Sequence, residues 1–206
     1  MKEYKVNTME KQKKAIEQIL KQLEGNYIVP IQSIPNIDLY MDQVTTFIES
    51  ALSDCKRNKQ DKILTKTMIN NYAKAKIFPP PQKKKYTKNH IMLLIMIYHL
   101  KSILSISDIC RLLKPITDEL NKNTNSPLLE MIYSDFVALQ QQNEKNIAMS
   151  LECNDTDSIQ QEYHKYENEM IQNIIIVLQL VIQCNTQKRI AEKILDTHFY
   201  TKKSPS

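Results

Sequence analysis

The chain has 206 residues, of which 42% are hydrophobic and 25% charged, and its formal net charge is +5. That length and apolar share allow a packed core and exclude wholesale disorder. With one glycine, Gly25, and no tryptophan, the chain lacks the material of Gly-rich phosphate loops and of ordinary hairpin turns, so helices are favoured.

The first predicted element is a helix over 8–24, where Ile16, Ile19, Leu20 and Leu23 share a face and Gly25-Asn26 stops it. Pro30 and Pro35 mark an extended connector. A helix from about Asp38 to Cys55 would bury Met41, Val44, Phe47, Ile48 and Leu52, and the polar run Lys56 to Lys62 reads as a loop. Thr65 is placed to cap a short helix, Lys66 to Ala75, whose inner face is Met68, Ile69 and Tyr72. Pro79-Pro80-Pro81 ends it, and Gln82 to Tyr86 follows as a short basic extension.

Thr87 caps the next predicted helix, Lys88 to Ser102, which is apolar on most sides and so must be covered by others. Ser105-Ile-Ser-Asp108 resembles a capping box and opens a helix with Ile106, Ile109, Leu112 and Leu113 inward, closed by Pro115. Ser126-Pro127 opens another, to about residue 150. A polar loop, Glu152 to Asp157, precedes a long helix to about Cys184, and a last helix spans Gln187 to His198. Strand signals are almost absent. The fold class expected is all-α.

Charge is concentrated in one place. Residues 56–101 carry 12 Lys and Arg against Asp61 alone, while residues 1–55 and 102–206 are each net acidic. A block this basic projects a positive field towards a polyanion.

Motifs for catalysis are missing. There is no H-E-x-x-H, G-x-S-x-G, Walker loop or dinucleotide fingerprint. Cys55, Cys110, Cys153 and Cys184 form no C-x-x-C pair, and His90, His99, His164 and His198 are scattered. Glu162, Glu167 and Glu169 beside His164 read as an exposed polar helix face. Neither enzymatic activity, a cofactor nor a metal is expected. The most apolar stretch, Ile174 to Ile182, is far short of the roughly twenty residues that span a bilayer, and the N-terminus lacks the apolar core of a signal peptide. No membrane partner is expected, and a cytoplasmic location is.

The stretch Leu64-Thr-Lys-Thr-Met-Ile-Asn-Asn-Tyr-Ala-Lys-Ala-Lys-Ile-Phe-Pro-Pro-Pro81, then Lys83-Lys-Lys-Tyr-Thr87, then Leu104-Ser-Ile-Ser-Asp-Ile109, resembles MerR-type regulators. In these a Ser/Thr-capped recognition helix ends in Tyr and a basic residue, and a wing ending in Tyr-Ser/Thr follows. With Leu39-Tyr-Met-Asp-Gln-Val44, the block over about 34–116 resembles domain-of-unknown-function family 1836, bacterial proteins with a MerR-like helix-turn-helix. Two departures stand out: Lys76 replaces the glycine usual in the exit turn, and the wing is short.

The resemblance implies a MerR-like winged helix-turn-helix with a minimal wing over 34–116. An N-terminal amphipathic helix and connector (1–33) would precede it, and a C-terminal helical bundle for dimerisation or signal input (117–206) would follow. It implies a sequence-specific transcription regulator that binds double-stranded DNA, expected as a homodimer with no effector indicated. Lys66, Thr67, Asn70, Asn71 and Lys74 would face DNA from the recognition helix, with Tyr72 either packing or touching phosphate. Lys83, Lys84 and Lys85 would grip phosphates from the wing, and Tyr86 would pin it. The alternative is a helical adaptor for a protein partner that binds no DNA, its lysines serving solvation.

Overall fold

The computed structural model describes residues 27–152 and 166–198. The predicted helix over 8–24, Cys153, His164, Glu162 and most of the loop Glu152 to Asp157 lie outside the described residues. What is described is mostly helical, with one very small sheet. A 3-10 turn (Ile31–Ser33) leads to strand β1 (Leu39–Tyr40) and helix α1 (Met41–Ala51); a second 3-10 turn (Ser53–Cys55) and a connector lead to α2 (Lys66–Lys74). Strand β2 (Lys85–Tyr86) precedes α3 (Lys88–Leu100), α4 (Ile106–Lys122), α5 (Leu128–Glu152) and α6 (Glu169–His198).

The caps explain several of these starts. Thr65 Oγ1 accepts the Met68 N–H at 3.2 Å, and Ser105 Oγ accepts the Asp108 N–H at 3.2 Å. Each satisfies one of the donors that a helix start leaves open. At α1 the polarity is reversed: the Tyr40 N–H donates to Gln43 Oε1 at 2.9 Å. At α3 the capping role falls to a histidine. His90 Nδ1 accepts the Thr87 N–H at 3.0 Å, so its proton sits on Nε2, which donates to the Pro79 carbonyl at 2.9 Å. Burial lowers the His90 pKa and keeps the ring neutral, as this arrangement requires.

Helix α3 is the hub. All but one of the residues from His90 to Leu100 are buried, and α1, α5 and α6 pack on it. The helix read from the sequence as apolar on most sides thus finds cover on most sides.

Three expectations need correcting. Pro115 does not close α4, which continues through it to Lys122 and buries Ile116, Thr117 and Leu120. A proline inside a helix removes one hydrogen bond. Here burial of the following turn outweighs that loss, and Thr117 Oγ1 also donates to the Ile77 carbonyl at 2.8 Å. The two helices expected on either side of Cys184 are one, α6, because nothing between Cys184 and Gln187 breaks it. Finally, β1 and β2, separated in the chain by α1 and α2, pair antiparallel, Leu39 with Tyr86 and Tyr40 with Lys85, so a small two-stranded sheet exists where strand signals were almost absent.

The apolar run of α6 is turned inward. Ile174, Ile175, Leu178, Val181 and Ile182 join a core that reaches back to Val29, while Leu180 is exposed. The boundary expected at 116–117 falls inside α4, and this core draws on both sides of it. Among the described residues no helix is long and apolar enough to cross a membrane.

Candidate nucleic-acid interface

Helix α2 is amphipathic with its polar side open. Ile69 and Tyr72 are buried beneath it, and Lys66, Thr67, Asn70, Asn71 and Lys74 are exposed. The spacing 66, 70, 74 with 67, 71 puts all five on one face, as helical periodicity demands. The structure therefore groups every recognition-helix residue named from the sequence except Tyr72. That ring is 4% exposed and packs in the core, the first of the two places read for it from the sequence.

Two tethers hold the exit of α2. Cys110 Sγ donates to the Ala75 carbonyl at 3.4 Å, and Thr117 fixes the Ile77 carbonyl, both from α4. The helix ends in a Schellman turn: the Lys76 N–H donates to the Ala73 carbonyl at 3.0 Å and the Ile77 N–H to the Tyr72 carbonyl at 3.1 Å. That motif needs a left-handed residue, and Lys76 occupies it with φ 56°. The glycine that the family pattern leads one to expect is absent, but the geometry it would serve is kept.

The hairpin repeats this feature. The Lys85 N–H donates to the Gln82 carbonyl at 2.8 Å across a two-residue turn whose central residues, Lys83 and Lys84, have φ 49° and 60°. Such turns ordinarily use Asn-Gly, because both central residues are left-handed. Lys83 and Lys84 are exposed at the tip, whereas Lys85 is half-buried with its Nζ 5.5 Å from the centroid of the Tyr40 ring. Tyr86 is 4% exposed and anchors β2 in the core, the place that a residue pinning the wing would take.

Ion pairs sort the cations of the basic block. Lys56 pairs with Glu49, Arg57 with Asp196 at 2.8 Å, Lys66 with Asp42, and Lys88 with Glu130 at 2.9 Å. The Lys56 hydrogen bond, above all, lowers the Glu49 pKa; the other Glu49 oxygen accepts the Ile63 N–H at 3.2 Å and so braces the connector. Lys101 donates to the Ile63 carbonyl at 2.7 Å. Among the described residues, Lys59, Lys62, Lys74, Lys76, Lys83, Lys84 and Lys85 have no carboxylate within ion-pair reach. Most of that uncompensated charge belongs to the end of α2, its exit turn and the hairpin.

Sequence reasoning missed three contributors here. Lys76 was noticed only as a missing glycine, Tyr40 supplies the exposed ring beneath Lys85, and Asp42 at the start of α1 engages Lys66. Only Lys76 carried a signal, its place in the exit turn. Among the described residues no cluster of His, Cys, Asp and Glu suits a metal ion. Burial pushes the Cys55 thiol up to about 11, far from a reactive thiolate.

The family described as Domain of unknown function (DUF1836) matches residues 29–136. The matched stretch closes on itself, for the buried Tyr133 hydroxyl, near its end, donates to the Val29 carbonyl at its start over 2.8 Å. No curated protein and no solved structure matches the chain.

Proposed function

The chain belongs to the family Domain of unknown function (DUF1836), and from that premise we propose that it is a DNA-binding transcription regulator of the MerR-like winged helix-turn-helix type. In this reading α1 braces α2, the open face of α2 enters the major groove, and the Lys83–Lys84 hairpin is the minimal wing on the flanking phosphates. Asn70 and Asn71 are the base readers, since an amide can meet adenine with two hydrogen bonds. Lys74, Lys76, Lys83, Lys84 and Lys85 neutralise phosphate.

One observation carries the reading. All three non-glycine residues with positive φ among those described are lysines, exposed and set in the basic stretch between α2 and β2. Left-handed backbone costs a residue with a Cβ about 1–2 kcal/mol, and Gly or Asn would relieve it. Local strain of this kind tends to sit at functional sites. A polyanion facing the turn gives a reason for keeping the charge there.

The test is the double variant Lys83→Asn with Lys84→Gly, which installs the preferred turn while removing two cations. Fluorescence anisotropy with a random-sequence duplex at several salt concentrations should show weaker binding and a log–log salt slope shallower by about two units. Thermal unfolding of the same variant should show equal or greater stability. An unchanged salt slope excludes the hairpin from the interface. Failure of the wild-type chain to bind duplex leaves the adaptor for a protein partner. A homodimer reading two half-sites, in the cytoplasm of a bacterial cell, is part of the same proposal.

A further inference from the structure

Behind the basic face, a cavity of about 240 Å³ lies where the C-terminal end of α3 meets α5, α6 and the connector before α2. Its wall contains polar groups of two kinds. Those of Ser102, Asn185 and Thr186 are partnered: Ser102 Oγ and Asn185 Nδ2 donate to the His99 carbonyl at 2.7 and 2.9 Å, and Thr186 Oγ1 donates to the Ile182 carbonyl at 3.0 Å. Gln140 Nε2 and His99 Nε2 are not. Both are wholly buried without a hydrogen-bond partner, on residues only 1% and 7% exposed. An unsatisfied buried donor costs about 1–3 kcal/mol and is uncommon in native proteins. Two such polar atoms on residues of one cavity wall, beside polar groups that are satisfied, favour a small polar or charged guest.

The charge on the wall indicates its sign. Lys62, Lys101, Lys188 and Arg189 line the cavity against one acid, Glu192, which is itself 3.6 Å from Arg57. Arg189 is half-buried, has no carboxylate within ion-pair reach among the described residues, and makes one long hydrogen bond of 3.5 Å, to the Asp54 carbonyl. Its guanidinium lies 4.4 Å from the centroid of the Tyr27 ring. Burial and the Arg189 charge together depress the His99 pKa to about 3, so the imidazole is neutral and offers a hydrogen bond without charge. Tyr27, Tyr98 and Ile182 supply flat apolar wall. The volume is below the roughly 300–1,000 Å³ of drug-sized sites, so the occupant is small.

We propose that this cavity binds a small organic carboxylate with a flat apolar body, its carboxylate held by Arg189 and the Gln140 amide and its body against Tyr27, Tyr98 and Ile182. Charge-assisted hydrogen bonds of this kind are the strong ones in a partly dry site. Cys55 and Lys62 bring the connector of the helix-turn-helix to the same wall, so occupancy bears on the segment that leads into α2.

The experiment is isothermal titration of the full chain with benzoate, with benzamide and inorganic phosphate as comparison ligands and no duplex present, so its outcome is independent of DNA binding. Saturable benzoate binding is expected, with benzamide weaker by about tenfold or more because it lacks the charge. Gln140→Met keeps the volume and removes the unpaired amide. It should fold at least as stably as the wild type and lose about tenfold in benzoate affinity, as should the half-buried Arg189→Gln. Absence of saturable benzoate binding to the wild type overturns the proposal. Equal binding by Gln140→Met and Arg189→Gln does so as well. Phosphate binding as tight as benzoate reduces the site to one for small inorganic anions and rejects the organic ligand.

Discussion

The two faces of the chain accept cost in different forms. On the α2 and hairpin side the side chains are well placed: charges point out and Tyr72 and Tyr86 point in, while the backbone carries three left-handed lysines. On the α3–α5–α6 side the helices are regular, while the wall contains two buried polar atoms without partners. A sequence selected for stability alone would place glycine in the first region and apolar groups in the second. Departures from the least costly solution concentrate where something outside the chain is met. In the two proposals, the outer surface meets a large polyanion and the inner wall a small ligand.

The largest effect should come from breaking the scaffold under the outer face. Tyr72→Ala removes a buried ring from between α2 and the core and should cost about 3–5 kcal/mol in urea unfolding. Tyr72→Phe keeps the ring and should leave duplex affinity almost unchanged. A large affinity loss in Tyr72→Phe with stability intact would return the hydroxyl to the interface.

The inner wall can be sharpened by acid. Burial lowers the pKa of both His90 and His99, the latter to about 3, whereas an unfolded histidine titrates near 6.5. The unfolded chain therefore binds more protons below that value. The stabilising contribution is complete above pH 6.5 and is lost as the pH falls towards the folded values. From His99 alone the loss should be about 2 kcal/mol between pH 6.5 and pH 5, read from urea midpoints. His99→Met should flatten the dependence by about the share of one proton. A slope that His99→Met leaves unchanged would mean that the imidazole takes up its proton as readily in the folded chain as in the unfolded one.

The same contrast separates what the sequence made legible from what it did not. Periodicity placed α1, α2, α3 and the start of α4, with the oxygen caps Thr65 and Ser105, because local spacing and a single oxygen acceptor suffice. It also placed Lys66, Thr67, Asn70, Asn71 and Lys74 on one face, since 3.6 residues per turn decide that. The turn at Lys83-Lys84 and the β1–β2 pair were not legible, because the turn uses Lys-Lys and each strand is only two residues long. The continuation of α4 past Pro115 was hidden too, for tertiary burial of Ile116 and Leu120 overrides a local breaker. The cavity depends on residues as far apart as Tyr27 and Glu192, and no spacing rule brings these together. Ion pairs between distant elements, such as Arg57 with Asp196, likewise reduce a raw count of basic residues to a smaller set.

A smaller effect tests the backbone strain directly. Lys76→Gly should relieve the left-handed penalty at the α2 exit, partly offset by the greater freedom of glycine in the unfolded chain, for a net gain of about 1 kcal/mol at most. In the regulator reading the same substitution weakens duplex binding and lowers the salt slope by about one unit. A stability loss would mean that the lysine side chain makes packing that outweighs its backbone cost.

The smallest expected change concerns an acid on the outer face. Asp42 pairs with Lys66, yet both side chains are more than half exposed, at 77% and 59%. Pairs in that setting contribute about 0–1 kcal/mol and are screened by salt, so Lys66 can exchange Asp42 for a phosphate at little cost. Asp42→Asn should therefore change stability by less than about 1 kcal/mol. It should also strengthen duplex binding modestly at low salt, with the gain fading as salt rises. If Asp42→Asn instead weakens binding, Lys66 needs its partner to hold its position, and the ion pair is part of the interface rather than a competitor for it.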